Sequence, residues 1–124
     1  MAVLGNEGAL ATGVVAILAT GVAGTGVNAS YNFEVQPTSN GSPKDLWLLC
    51  IAGTLPTTLT ASVEASPDGG TTWVTFASAV ALVASTASTA QRIQSVPAGL
   101  NYRLNFSAYT AGSASAVKVY GVVS

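Results

Sequence analysis

The sequence has 124 residues, with four Lys and Arg, five Asp and Glu, no histidine and a formal net charge of −1. That length fits one domain, and so few cations cannot form the basic stripe a phosphate backbone requires, so no nucleic-acid partner is expected. With no imidazole base and a single cysteine, Cys50, nucleophilic catalysis, an intrachain disulfide and a transition-metal site all lack their usual residues.

In chain order, the first feature is an uncharged stretch from Gly8 to Phe33. Its length suits a membrane span. It lacks a basic flank and aromatic anchors, and Gly13, Gly21, Gly24 and Gly26 interrupt it, so no membrane segment is expected. Residues 1–12 read instead as an N-terminal arm that pairs with a neighbouring subunit, and residues 13–124 as a β-sandwich domain opening with a strand near Val14 to Thr20.

"ASYNFEVQ" alternates with Tyr31, Phe33 and Val35 inward, and "PTSNGSPKD" is a loop dense in turn formers. "LWLLCIA" is a continuous apolar run, expected of a strand covered on both faces, with Cys50 as an inert core residue. "TLTASVEAS" alternates again, with Leu59, Ala61, Val63 and Ala65 on one side.

"SPDGGTTW", Ser66 to Trp73, follows it and fits Ser-x-Asp-x-Gly-x-Thr-Trp at every fixed position. Pro67 presets φ, Asp68 accepts bonds from nearby backbone N–H groups, and Gly69 and Gly70 adopt positive φ without a Cβ penalty. Ser66, Asp68, Gly70, Thr72 and Trp73 are therefore assigned to a structural hairpin. The pattern resembles the Asp-box of sialidase propellers. Those enzymes need several hundred residues, repeated boxes and an arginine triad. This chain has one box and two arginines, Arg92 and Arg103.

Beyond the hairpin, "TWVTFA", "ALVAST" and "AQRIQSV" are expected strands, although the Ala-rich stretch 77–88 also fits a short helix. "NYRLNFSAY" alternates, with Tyr102, Leu104, Phe106 and Ala108 inward, "TAGSAS" turns, and "AVKVYGVV" ends the domain. The pattern as a whole predicts an all-β, single-domain antiparallel sandwich, jelly-roll-like, of about eight strands.

No enzyme is expected. Glu34 and Glu64 fall on the solvent side of their strands, and one carboxylate, Asp68, is a poor calcium cage. No cofactor and no metal are assigned. Trp47, Trp73, Tyr31, Tyr102, Tyr109 and Tyr120 would stack on sugar rings if grouped on one face, but core packing accounts for most of them. The low charge, with Ser and Thr supplying much of the polarity, is unusual for a freely soluble monomer and suits an assembled protein.

Taken together, "ASVEASPDGGTTWVTFAS" and "VPAGLNYRLNFSAYTAGSASAVKVYGV" resemble small β-sandwich virion proteins of tailed bacteriophages, in which a DGG hairpin ending in Trp precedes a strand that opens on PAG and carries YR. The match covers Ala61 to Val122. The resemblance implies a non-enzymatic capsid decoration or cement protein on the outer surface of the head, bridging neighbouring subunits. It also implies two partners, the major capsid protein and copies of the chain itself as a homodimer or homotrimer. The alternative it leaves is a carbohydrate-binding adhesion module on a head fibre or tail, with a glycan as partner.

Overall fold

The computed structural model describes Val3–Leu4 and residues 9–37, 42–85 and 87–124. Within them lie eleven strands and no helix: β1 (Val3–Leu4), β2 (Ala9–Leu10), β3 (Val15–Thr20), β4 (Phe33–Val35), β5 (Lys44–Ile51), β6 (Thr58–Ser66), β7 (Val74–Ala84), β8 (Ala87–Ser88), β9 (Gln91–Val96), β10 (Asn101–Thr110) and β11 (Lys118–Val123). They form a five-stranded sheet, β1-β3-β11-β5-β9, and a six-stranded sheet, β2-β4-β10-β6-β7-β8.

Three of the strands, β1, β2 and β8, have only two residues each. Numbered by sequence, the other eight strands stand first-eighth-third-sixth in one sheet and second-seventh-fourth-fifth in the other, all antiparallel. That is jelly-roll connectivity, two Greek keys folded into a sandwich.

Period-two alternation builds the core. Leu46, Leu48 and Cys50 on β5, Leu18 on β3 and Val119 on β11 face Phe33, Leu59, Val63, Leu104 and Phe106 from the other sheet, and all are buried. Phe33 and Tyr102 stack with ring centroids 5.6 Å apart. Gly121 sits beneath Leu18 at the centre of β11; a Cβ there would lie 2.5 Å from Leu18 Cδ1. Its missing side chain makes room for the leucine.

Three expectations change, and one ambiguity resolves. In the Ala-rich stretch, residues 77–84 and 87–88 are strand, as expected, and not helix, because β6 offers a nine-residue partner along which β7 pairs from Val74 to Ala84. A bulge between Phe106 and Ala108 reverses the alternation in β10, so Ala108 stands opposite Thr60, and Tyr109, opposite Leu59, packs against the core. "LWLLCIA" is covered on one face only: Leu46, Leu48 and Cys50 are buried, while Leu49 and Ile51 are 38% and 55% exposed.

The described part of the 1–12 arm lies on its own sandwich. Val3–Leu4 pairs in parallel with β3, Ala9–Leu10 pairs in parallel with β4, and Leu10 is fully buried. Edge strands β3 and β4 leave backbone groups to be paired on one side of the sandwich, and the arm supplies partners to both. The middle of the "PTSNGSPKD" loop, residues 38–41, lies outside the described residues.

Candidate functional site

The hairpin residues come together as a closed network. Ser66 Oγ donates to Asp68 Oδ1 at 2.7 Å and accepts from the Gly70 N–H at 2.8 Å. Asp68 Oδ1 also accepts from the backbone N–H groups of Thr72 at 2.8 Å and Thr71 at 3.1 Å. Gly69 and Gly70 hold φ of 75° and 98°, which lets the loop fold back under the carboxylate. The Thr72 N–H, then the Ser66 hydroxyl, hold the Asp68 carboxyl down at about 2, so it is ionised throughout the physiological range. Trp73 Nε1 closes the loop on the Gly70 carbonyl at 3.0 Å.

The two motifs of the C-terminal half meet in space. The Arg103 guanidinium carbon lies 4.2 Å from the centre of a Trp73 ring, and Arg103 Nε donates to Glu64 Oε1 at 2.7 Å. Asn105 Nδ2 donates to the other oxygen, Glu64 Oε2, at 3.1 Å. Burial pushes the Glu64 carboxyl up, but the Asn105 amide and the Arg103 guanidinium outweigh it and leave it below its ordinary value. The Tyr102 hydroxyl donates to the Pro97 carbonyl, tying the start of β10 to the preceding corner, as the tyrosine corner does in Greek-key sandwiches. Burial pushes this phenol up to about 12.

"SPDGGTTW" and "PAGLNYR" are thus the two halves of one clamp, in which β6, β10 and the hairpin hold one another. Sequence reasoning assigned Ser66, Asp68, Gly70, Thr72 and Trp73 to a hairpin and put Glu64 on the solvent side of its strand, without joining it, Arg103 or Asn105 to that hairpin. The signal was present: Arg103 and Asn105 share the outward phase of β10, and Glu64 that of β6.

The acids are engaged separately. Asp45 pairs with Arg92 at 2.9 Å on the five-stranded sheet, Glu64 lies on the other sheet, and Glu34 is exposed on β4. Among the described residues no group of three or more His, Cys, Asp or Glu side chains could hold a metal ion. Burial pushes the Cys50 thiol up to about 11, so it stays protonated. The aromatics divide between the core (Phe33, Tyr102 and Phe106, with Tyr109 packed against it and the part-exposed Phe76 edge-on to Tyr102), a hydroxyl pair with Thr20 (Tyr31), the clamp (Trp73) and the outside of the five-stranded sheet (Trp47 and Tyr120).

That outer surface is the second candidate. Trp47 stands opposite Val122, Leu49 opposite Tyr120, and Tyr120 opposite Ile17, so outward side chains of β5, β11 and β3 form one apolar field. Its charges, among the described residues, are Lys118 at one end and, at the other, Asp45 with its partner Arg92, which stands opposite Trp47 with its guanidinium carbon 5.9 Å from the centre of the ring. Sequence reasoning missed the field because an uninterrupted apolar run reads as covered on both faces. Lys118, two residues before Tyr120, was the cue that this row faces outward. Comparison with protein families, with curated proteins and with solved structures finds no match to this chain.

Proposed function

We propose that the chain is a non-enzymatic virion protein of a tailed bacteriophage that decorates the outer surface of the capsid and cements neighbouring subunits. The observation that carries this reading is the uncovered apolar field on the five-stranded sheet. An antiparallel sheet that faces water normally turns polar side chains outward, whereas here Leu49 and Ile51 stand outward and exposed. Jelly-roll connectivity, common to viral capsid domains, supports the reading by analogy of fold. The clamp gives the shared motifs a structural role, which suits a protein that works by contact and not by turnover.

Cementing needs surface that gains by leaving water, at roughly 25 cal/mol per Å² of apolar area, repeated over many copies. Such attachment resists salt. The Debye length falls from about 10 Å at 0.1 M to about 3 Å at 1 M, which screens exposed charges but leaves apolar burial intact. Purified particles washed across that range are expected to retain the protein, with bound copies read by gel densitometry. Stepwise loss in sodium chloride alone would make charge the dominant contact and overturn the mechanism; absence of the chain from purified particles would overturn the assignment. The adhesion reading calls for exposed aromatics grouped on one face; Trp47 and Tyr120 share the outer face of the five-stranded sheet, while Trp73 is held in the clamp and Tyr102 in the core, so the sheet would offer a sugar two rings at most.

A further inference from the structure

The two sides of the sandwich are closed unequally. On one side β1 lies on β3, β2 lies on β4, and the Ala29 carbonyl and the Tyr31 N–H bond farther along β3. On the other side β9 pairs with β5 and, among the described residues, with no further strand. The direction of its free groups follows from the ladder. Asp45 exchanges both backbone bonds with Ser124 on the β11 side of β5, so Trp47, two residues on, turns the same way toward Val122. Arg92 stands opposite Trp47 and therefore turns its N–H and C=O away from β5, to the open edge. Such groups are what an added strand pairs with.

The inner face of the six-stranded sheet lacks cover at the same place. Val74 stands opposite the core residue Ala65 and so shares its inward side, yet it is 57% exposed. Phe76 meets the buried Tyr102 edge-on, with ring centroids 5.8 Å apart, and is also exposed. With Ala77 it faces Arg92, Ile93 and Gln94 across an open groove between β7 and β9. Toward the corner the chain closes this side itself: Gln91 Nε2 donates to the Ala81 carbonyl at 2.9 Å, and the Thr89 N–H to the Leu82 carbonyl at 3.0 Å. Toward Val74 the five-stranded sheet is one strand short of covering its partner.

We infer that the groove takes a donated strand: an extended, uncharged segment of the shell protein that pairs with β9 along Gln91 to Gln94 and lays apolar side chains on Val74, Phe76 and Ala77. This rests on the decoration reading, which supplies the donor, and adds an edge site that lies outside the apolar field. The chemistry of the groove selects the occupant. From Val74 to Ala90 the chain has no charge, and Arg92, the one charge lining the groove, is already held by Asp45. A charged segment would lose water there without gaining a partner. The length is limited at one end by the Gln91 bond and at the other by the bulge after Ile93, where Ser95 has a φ of 57°. The arm, the segment expected to reach a neighbouring subunit, is held on its own sandwich with Leu10 fully buried, so a second copy is not the donor.

Amide exchange on the purified full chain, free and bound to purified particles, reads the edge directly. In the free chain the Arg92 N–H is expected to exchange readily while that of Ile93, laddered to Leu46, is protected. On particles the Arg92 N–H is expected to become protected. Arg92→Pro removes that N–H at an edge position that tolerates proline. It is expected to bind particles at least about fivefold more weakly than Arg92→Ala, which keeps the N–H and equally lacks the guanidinium. If Arg92→Pro does not fold, Val74→Lys reads the groove instead, with a similar loss expected, against no loss in Thr75→Lys on the outer side of the same strand. An Arg92 N–H protected already in the free chain or unchanged on particles, or Arg92→Pro binding as Arg92→Ala does, would overturn the inference and leave decoration standing. Protection that rises with the concentration of the free chain would also overturn it, giving the groove to a second copy. A wild-type chain that does not bind particles overturns the decoration reading and the donated strand with it.

Discussion

The two outer faces of the sandwich obey the same alternation and end in opposite chemistry. On the six-stranded sheet the outward row is Asn101, Arg103 and Asn105 on β10 against Ser62 and Glu64 on β6, and its charged members bind one another. On the five-stranded sheet it is Trp47, Leu49 and Ile51 against Val122, Tyr120 and Lys118. The first face satisfies itself and meets water without cost. The second turns mostly apolar side chains to water and gains free energy when they are covered. Exposure and polarity therefore need not go together in a small β protein; here the polar face is held by its own side chains, and the apolar one is the face left uncovered.

The sharpest test of the contrast lies between two neighbours on β5. Leu48 is fully buried and Leu49 is 38% exposed. Leu48→Ala is expected to cost about 2–5 kcal/mol in urea unfolding, the usual loss for a buried leucine. Leu49→Ala, measured on dilute protein, is expected to stay within about 0.5 kcal/mol. Equal losses would mean that both faces are covered within the single chain, and the contrast would collapse.

A smaller effect is expected beneath the same face. Gly121→Ala places a methyl 2.5 Å from Leu18 Cδ1, and overpacking of this kind costs about 1–3 kcal/mol. Shortening the leucine in Leu18→Ala with Gly121→Ala opens that space. The double variant is expected to lose less than the sum of the two single losses in denaturant unfolding. Strict additivity would show that the two positions do not share the space.

On the polar face the expected magnitude falls again. A double-mutant cycle across Glu64→Gln and Arg103→Lys is expected to give a coupling of up to about 1 kcal/mol, since the pair is only partly exposed. The Lys variant keeps the charge and loses both the planar stack on Trp73 and the Nε bond. Glu64 has a depressed folded pKa, so the coupling is present above the ordinary carboxylate range and fades as the pH falls below about 4. A coupling unchanged at low pH would remove the ionised Glu64 from the clamp.

Much of this was legible in the residues. Alternation gave the inward sets of β4, β6 and most of β10, and turn chemistry located the hairpin from Ser66 to Trp73. What was not legible depended on facts that lie outside any local window. The bulge that reverses Ala108 and Tyr109 follows from pairing with β6, and the choice of strand over helix for residues 77–84 follows from the same partner's length. The parallel pairing of Ala9–Leu10 on β4 depends on an edge that exists only once the sheets have formed. "LWLLCIA" failed for another reason: hydrophobicity reports that a face prefers cover, not that its own chain supplies it.

The smallest effect is expected at the hairpin that joins β6 to β7 beside the polar face. Asp68→Asn keeps an oxygen to accept from the Thr72 and Thr71 N–H groups and removes the charge. The melting temperature at neutral pH is therefore expected to fall by a few degrees at most, because the loop geometry set by Gly69, Gly70 and Ser66 survives. The charge itself is visible in the pH dependence. An aspartate in the unfolded chain titrates near pH 4, and in the fold Asp68 is held down at about 2. Its contribution is full above the unfolded value and is lost as the pH falls through the folded one. Wild type is thus expected to lose stability between about pH 4 and pH 2 more steeply than Asp68→Asn. The two melting curves should converge at the acid end, as followed by circular dichroism. Parallel curves across that window would mean that Asp68 titrates alike in both states, and the hairpin would then owe its shape to its glycines and Ser66 alone.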